Sequence, residues 1–201
     1  MGKLELWDQM ATLYINGFNS PWSDQMWMFF SNKYVWFPFY AIIAGCLIWR
    51  LGWKRGLIAI FTIALTILAV DQSCNLVKDT VARLRPCNDP DVIAQGLHIL
   101  ESPSQRYKYG FFSAHSANAF AFALGSILAF RKGLNHKAHI AYSSIIMVWA
   151  FMVAVSRIFV GKHFLGDVVV GALVSFTLCW LIFKAVEWIG SKIARKCGQS
   201  N

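Results

Sequence analysis

The residues best suited to chemistry gather in Ser156-Arg157-Ile158-Phe159-Val160-Gly161-Lys162-His163-Phe164-Leu165-Gly166-Asp167, a polar island between two apolar runs. If the chain turns helical near His163, Asp167 follows at i, i+4 and the two side chains share a face. A carboxylate on one ring nitrogen of a histidine fixes the tautomer and frees the other nitrogen to attack an electrophile or take a proton. Arg157 and Lys162 add cations nearby; Lys162 has no assigned role and is expected to face water. A charged loop between two membrane helices would carry the same residues, so this island does not decide the matter alone.

Two further islands carry similar chemistry. In Lys78-Asp79-Thr80-Val81-Ala82-Arg83-Leu84-Arg85-Pro86, Lys78 and Arg85 are seven apart, two helical turns on one face, and Pro86 stops the helix. They could equally snorkel at a helix end. Gly110-Phe111-Phe112-Ser113-Ala114-His115-Ser116-Ala117-Asn118 opens another apolar run. Small residues at a helix start leave main-chain N–H groups free, and the positive end of the helix dipole favours an anion there. His115 beside that pocket could act as a general acid, although Ser113 could simply cap the helix. Asp71 is an intramembrane acid that reads as a structural partner.

The elements that must position these islands are membrane helices. The chain has 201 residues, 57% hydrophobic, with a mean hydropathy of +0.47, a membrane composition. Five runs can span a bilayer: Tyr34–Trp49, Gly56–Val77, Phe111–Phe130, Ala138–Val155 and Phe164–Val186. Before them, Leu4, Leu6, Trp7, Met10, Leu13, Tyr14 and Phe18 recur at helical spacing, which predicts an amphipathic helix at a membrane surface. Ser20-Pro21 then starts a short segment to Ser31 that reads as a structural lip, with contact to a lipid substrate as the alternative, and Trp22, Trp27, Tyr34 and Trp36 suggest an interfacial aromatic belt. The expected architecture is an all-α polytopic membrane bundle of about five transmembrane helices plus the N-terminal helix. It forms a single domain: an interfacial segment 1–33, a bundle 34–187 and a basic cytoplasmic tail 188–201. No secretory signal peptide is expected, because Glu5, Asp8 and Gln9 interrupt the N-terminal apolar residues.

Charge then sorts the loops. The formal net charge is +9, which fits cytoplasmic loops and lipid headgroups, and no nucleic-acid-binding motif accompanies it. Arg50, Lys54 and Arg55, then Arg131, Lys132 and Lys137, then Lys184, Lys192, Arg195 and Lys196 fall on one side, which the positive-inside rule makes cytoplasmic. All three islands therefore lie on the opposite face, where their cations are exceptions that an anion-binding site would explain. Cys46, Cys74, Cys87, Cys179 and Cys197 are scattered and suggest neither a disulfide framework nor a metal site.

The order Lys78-x6-Arg85-Pro86, Ser113-Ala114-His115 and Ser156-Arg157-x5-His163-x3-Asp167 resembles the three-part signature of the type 2 phosphatidic acid phosphatase (PAP2) superfamily. It departs from the usual second part, with Phe112 for Pro and Ala114 for Gly. The resemblance implies a helical bundle of the membrane lipid phosphatase branch. It implies His163 as the nucleophile that forms a phosphohistidine, Asp167 as its orienting partner and His115 as the acid and then base. Lys78, Arg85, Ser113, Ala114 and Arg157 would hold the phosphoryl group, with no metal or other cofactor required.

The expected partners are a phosphorylated lipid and the surrounding membrane, with no nucleic acid and no obligate protein partner readable. Undecaprenyl diphosphate comes first as substrate, with phosphatidylglycerophosphate, phosphatidate and lipid A phosphates as alternatives. The Cys87–Tyr109 loop, carrying Glu101, Arg106 and Lys108, could help to choose the headgroup. The location expected is the bacterial cytoplasmic membrane, with the site on its outer side. From other classes, a vanadate-dependent haloperoxidase shares the three motifs, and a channel or transporter would place the polar islands along a pathway.

Overall fold

In a computed structural model, which describes residues 2–103 and 108–198, the chain forms α1 (Lys3–Asn16), α2 (Pro21–Ser31), α3 (Phe37–Leu51), α4 (Trp53–Val81), α5 (Pro90–Ala94), α6 (Ala114–Phe130), α7 (His136–Phe159) and α8 (Leu165–Gly198). Arg106 lies outside the described residues. The segments Lys33–Leu51, Trp53–Val81, His136–Phe159 and Leu165–Lys196 are each long and apolar enough to cross a membrane. The remaining expected span, the third in order, is α6, which has 17 residues, a rise of about 26 Å.

Helix α6 is central, packed against α3, α4, α7 and α8. Its sequence explains why: Ala117, Ala121, Ala123, Gly125 and Ser126 are buried and small, so neighbouring backbones approach closely. The α8 contact is tightest at Gly171, where a Cβ would lie 2.8 Å from the Ser113 carbonyl oxygen. Ser175 on α8 donates to Ala117 O (2.6 Å) and Ser116 on α6 donates to Val168 O (2.8 Å), so polar hydroxyls bridge the helices inside the span. Leu47, Ile63, Phe122, Phe130, Ile146 and Ile158 fill the core. Outward, Leu57, Phe61, Leu68, Ile145, Val148, Phe151 and Leu173 are exposed, as lipid-facing side chains are.

Three expectations need correction. Helix α1 is amphipathic, but its polar face is the inner one: Gln9, Thr12 and Asn16 are buried, whereas Leu4, Trp7, Met10, Tyr14 and Phe18 are exposed. With lipid outside and polar loops inside, that is the stable orientation. Helix α4 ends at Val81, with Ala82 at φ 50°, so Arg85 lies beyond it and not two turns along it from Lys78. Arg85 is extended (φ −73°, ψ 152°), as a residue before proline prefers, and Leu84 bridges to Tyr109. Helix α8 begins at Leu165, two residues after His163. Residues 188–198 of the tail continue α8 as helix.

The basic turns meet at one end of the bundle. A Cβ on Gly133, after α6, would touch Leu51 and Arg50 at the end of α3. The polar islands lie at the other end.

Candidate active site

His163 and Asp167 come together although the helix starts late. Phe164 precedes α8, and Asp167, in the first turn, accepts the Phe164 N–H (3.1 Å) in half of a capping box. This aims Asp167 Oδ2 at His163 Nδ1, 3.5 Å away, with both side chains almost fully buried. Nδ1 has no hydrogen-bond partner among the described residues; such contacts are often long before substrate binds. Gly161, at φ 76°, makes the corner that turns α7 back toward α8, a backbone conformation glycine adopts without penalty. Its carbonyl accepts Cys87 N–H (3.0 Å), tying the first island to the third.

The cations surround this pair. Arg85 donates from Nε to Tyr109 O (3.1 Å), and a Cβ on Gly110 would touch both Arg85 and Asp167. Burial, reinforced by the charges of Arg85, Arg157 and Lys78, holds the His163 imidazole well below its ordinary pKa, so it is neutral at pH 7. Burial, with Arg157 adding to it, lowers the Arg85 pKa. Arg157 is 3% exposed. Its Nη1 donates to Ser31 Oγ and to Glu101 Oε1 (3.2 Å), while its buried Nε–H has no partner among the described residues. Burial would raise the Glu101 pKa, but Arg157, the Ser31 hydroxyl (2.6 Å) and Lys162 outweigh it and hold the carboxyl ionised.

Ser113 and His115 complete the set. Ser113 caps α6 and is fully buried; its N–H donates to Asp167 O (3.0 Å), which locks the second island to the third. Ala114 is the first residue of α6, where main-chain N–H groups have no preceding carbonyl to meet. His115 faces the charges of Arg157, Arg85 and Lys33, with the His163 ring nearby.

The structure also brings in residues that sequence reasoning missed. Lys162 does not face water: it is 7% exposed and donates to Ser102 O (2.6 Å), 4.0 Å from Glu101. Arg83, between the two signature cations, pairs with Asp167 Oδ1 (2.9 Å) and with Asp8 Oδ2 (2.7 Å). Asp71 accepts from Asn118 (3.3 Å) and Asn75 (3.3 Å), the structural role expected of it. Ser31, the last residue of the supposed lip, and Lys33 and Trp36 just after it line, with His115, a cavity of about 520 Å³. The cavity descends between α3, α4 and α6 past Tyr40, Ile63, Phe122 and Leu47.

Fixed positive charge around a neutral, carboxylate-backed imidazole suits a phosphoryl group, and an apolar cavity beside it suits a lipid. Similarity to known proteins gives the same class. The family model described as the PAP2 superfamily matches residues 55–191, and the chain belongs to that superfamily. It is 36% identical over 177 residues to a lipid A 4′-phosphatase of Bacteroides thetaiotaomicron, covering 88% of this chain and 75% of the relative. A lipid A 4′-phosphatase of Porphyromonas gingivalis is 27% identical over 185 residues, covering 89% of this chain and 75% of the relative.

Two crystal structures share the fold. The first transmembrane PAP2 type phosphatidylglycerolphosphate phosphatase from Bacillus subtilis has a TM-score of 0.73 at 21% identity, covering 94% of this chain and 89% of that one. Aquifex aeolicus LpxE has a TM-score of 0.60 at 22% identity, covering 87% of this chain and 93% of that one. The protein is thus a multi-pass membrane lipid phosphatase, and the haloperoxidase and transporter alternatives are left without support.

Proposed function

We propose that the protein removes a phosphate from a lipid A-type glycolipid through a phosphohistidine on His163. The observation that carries the chemistry is the buried pair of neutral His163 and Asp167, influenced by Arg85, Arg157 and Lys78, with His115 lining an apolar cavity. His163 Nε2 attacks phosphorus in line, and the bond from phosphorus to the lipid oxygen breaks. His115, protonated when the anionic phosphate binds among the cations, donates that proton to the oxygen and then takes one from water, whose attack breaks the P–N bond and frees phosphate. Asp167 accepts the Nδ1 hydrogen bond and stabilises the ring as it becomes cationic. Arg85, Lys78 and the Arg157 Nε–H, which has no partner among the described residues, hold the phosphoryl oxygens, with the Ser113 hydroxyl and the Ala114 amide at the α6 N-terminus as further donors.

The lipid is argued from the cavity and the relatives. Ala41 and Ala64 line the cavity from α3 and α4 and are exposed, so its flank opens toward hydrocarbon and an acyl chain can enter sideways. Undecaprenyl diphosphate, first in the sequence reading, gains no support from the relatives; both named relatives are lipid A 4′-phosphatases. The basic turns at the opposite end of the bundle support a bacterial inner-membrane protein with its site on the periplasmic side.

The test is phosphate release by purified wild type and His163→Ala from lipid A, undecaprenyl diphosphate, phosphatidylglycerophosphate and phosphatidate, with mass spectrometry of the lipid A product. The proposal expects fastest release from lipid A, loss of the 4′-phosphate and no turnover by the variant. Faster release from any other lipid would overturn the substrate assignment.

A further inference from the structure

Helix α8 begins at Leu165, after Phe164, whose side chain cannot cap it, yet its first free N–H groups are not left open. Thr12 Oγ1 of α1 accepts the Leu165 N–H (2.9 Å), and Asp8 Oδ1 accepts the Gly166 N–H (2.6 Å). The fit is close: a Cβ on Gly166 would sit 2.8 Å from Asp8 Oδ2. That second oxygen binds Arg83 Nη2 (2.7 Å), and Arg83 Nη1 binds Asp167 Oδ1 (2.9 Å). Phe164 packs under the guanidinium, with the ring centroid 4.0 Å from Cζ. Asn16, two turns further along the same stripe of α1, donates to His98 O, Ile158 O and Phe159 O, so α1 is fastened to the end of α7 as well. The contacts form a continuous chain of alternating charge from Asp8 through Arg83 to Asp167, which backs the neutral His163 ring.

We propose that Asp8 is a positioning residue for the phosphatase reaction: it fixes the first turn of α8 and balances Arg83, so that Asp167 keeps its place and its full negative charge behind His163. The proposal rests on His163 being the nucleophile. Asp8 lies outside residues 55–191, the stretch that matches the family model, so it belongs to the N-terminal helix of this chain and not to the matched region. Its charge matters because cations dominate around the nucleophile. The cations Lys78 from α4, Arg83 and Arg85 from the following loop and Arg157 from α7 bear on the site, the His115 ring from α6 lies among them, and Asp167 from α8 is the carboxylate against His163. Without Asp8, Arg83 draws on Asp167 alone, and Asp167 offers less to a ring that becomes cationic in the transition state.

The experiment is rapid-quench measurement of phosphoenzyme formation against pH for wild type, Asp8→Asn, Asp8→Glu and the exposed control Glu5→Gln, each normalised to its titrated active fraction. In Asp8→Asn, the more positive surroundings lower the His163 pKa, so the acid limb of the rate shifts to lower pH while the plateau rate falls about tenfold, one pK unit in transition-state terms. Asp8→Glu keeps the charge at a changed distance: a slower plateau with the limb in its wild-type place is expected. Glu5→Gln should match wild type in both.

An Asp8→Asn variant with a smaller active fraction but an unshifted limb and plateau would reduce Asp8 to a structural part. If that variant does not fold, a shifted limb in Asp8→Glu overturns the proposal and an unshifted one with a slower plateau supports it. A wild-type protein that turns over but forms no phosphoenzyme removes the nucleophile reading itself, which is a different failure.

Discussion

Arg83 stands between two carboxylates, and its removal has a cost that can be worked from the contacts. Asp167 is fully buried, Asp8 14% exposed and Arg83 18% exposed, with pairing distances of 2.7 and 2.9 Å. Arg83→Met keeps most of the packing over Phe164 but leaves Asp167 without a cation on Oδ1. Removing one partner of a buried pair costs about 3–5 kcal/mol, and the partial exposure of Arg83 puts this case at the lower end, about 3 kcal/mol. For a chain of this length each kcal/mol moves Tm by roughly 2–4 °C, so the melting temperature in detergent should fall by roughly 6–12 °C.

The double variant Arg83→Met/Asp167→Asn should recover most of that loss, because the fully buried charge is then removed and only Asp8, 14% exposed and still accepting the Gly166 N–H, lacks its cation. The deficit of the single variant should also shrink as pH falls, since protonating the orphaned carboxylate removes the charge that cost the energy. A single variant within about 2 °C of wild type, or a double variant that melts lower still, would refute the reasoning.

The remaining predictions concern the lipid cavity, the nucleophile and the source of positive charge. Ala64→Phe fills the cavity from α4 and should raise KM for a long-chain lipid phosphate severalfold while leaving turnover of a short, water-soluble phosphate ester unchanged; equal effects on both would deny the cavity its role. Because burial and Arg85, Arg157 and Lys78 hold His163 below its ordinary value of about 6.5, the enzyme should lose kcat/KM only as pH drops through a point below 6.5. The substrate's own ionisation, measured by its ³¹P shift, is divided out first, and a limb at or above 6.5 would contradict the assignment. Activity should persist in EDTA, with Arg85, Arg157 and Lys78 supplying the charge; strict dependence on added magnesium would contradict that scheme.

The apolar runs made the helices legible, since hydropathy over some twenty residues is a strong signal, and the order of the polar islands gave the family. Element ends were less legible. Pro86 constrains only Arg85 before it, whereas α4 stops at Ala82 in a left-handed conformation that alanine does not advertise. Amphipathicity in α1 was plain, but periodicity alone does not say which face turns inward. Asp8, Thr12 and Asn16 recur every four residues, a polar stripe that a lipid surround forces toward protein; that was the signal to follow. Arg83 lay inside the first island and went unread because motif spacing drew attention to Lys78 and Arg85. The contact from Asp8 to Gly166 spans 158 positions, and no local pattern encodes it. Lys162 looked like a surface cation because its acceptor, the Ser102 carbonyl, is a backbone group in a loop.

The most direct test of the central claim is to trap the phosphoenzyme. Purified protein mixed with lipid substrate is quenched within milliseconds under alkaline conditions, digested, and the phosphopeptide located by mass spectrometry. The account predicts a phosphoryl group on the peptide carrying His163, absent from the His163→Ala protein, which folds but does not turn over. A phosphoryl group on a different residue, or wild-type turnover by His163→Ala, would contradict it.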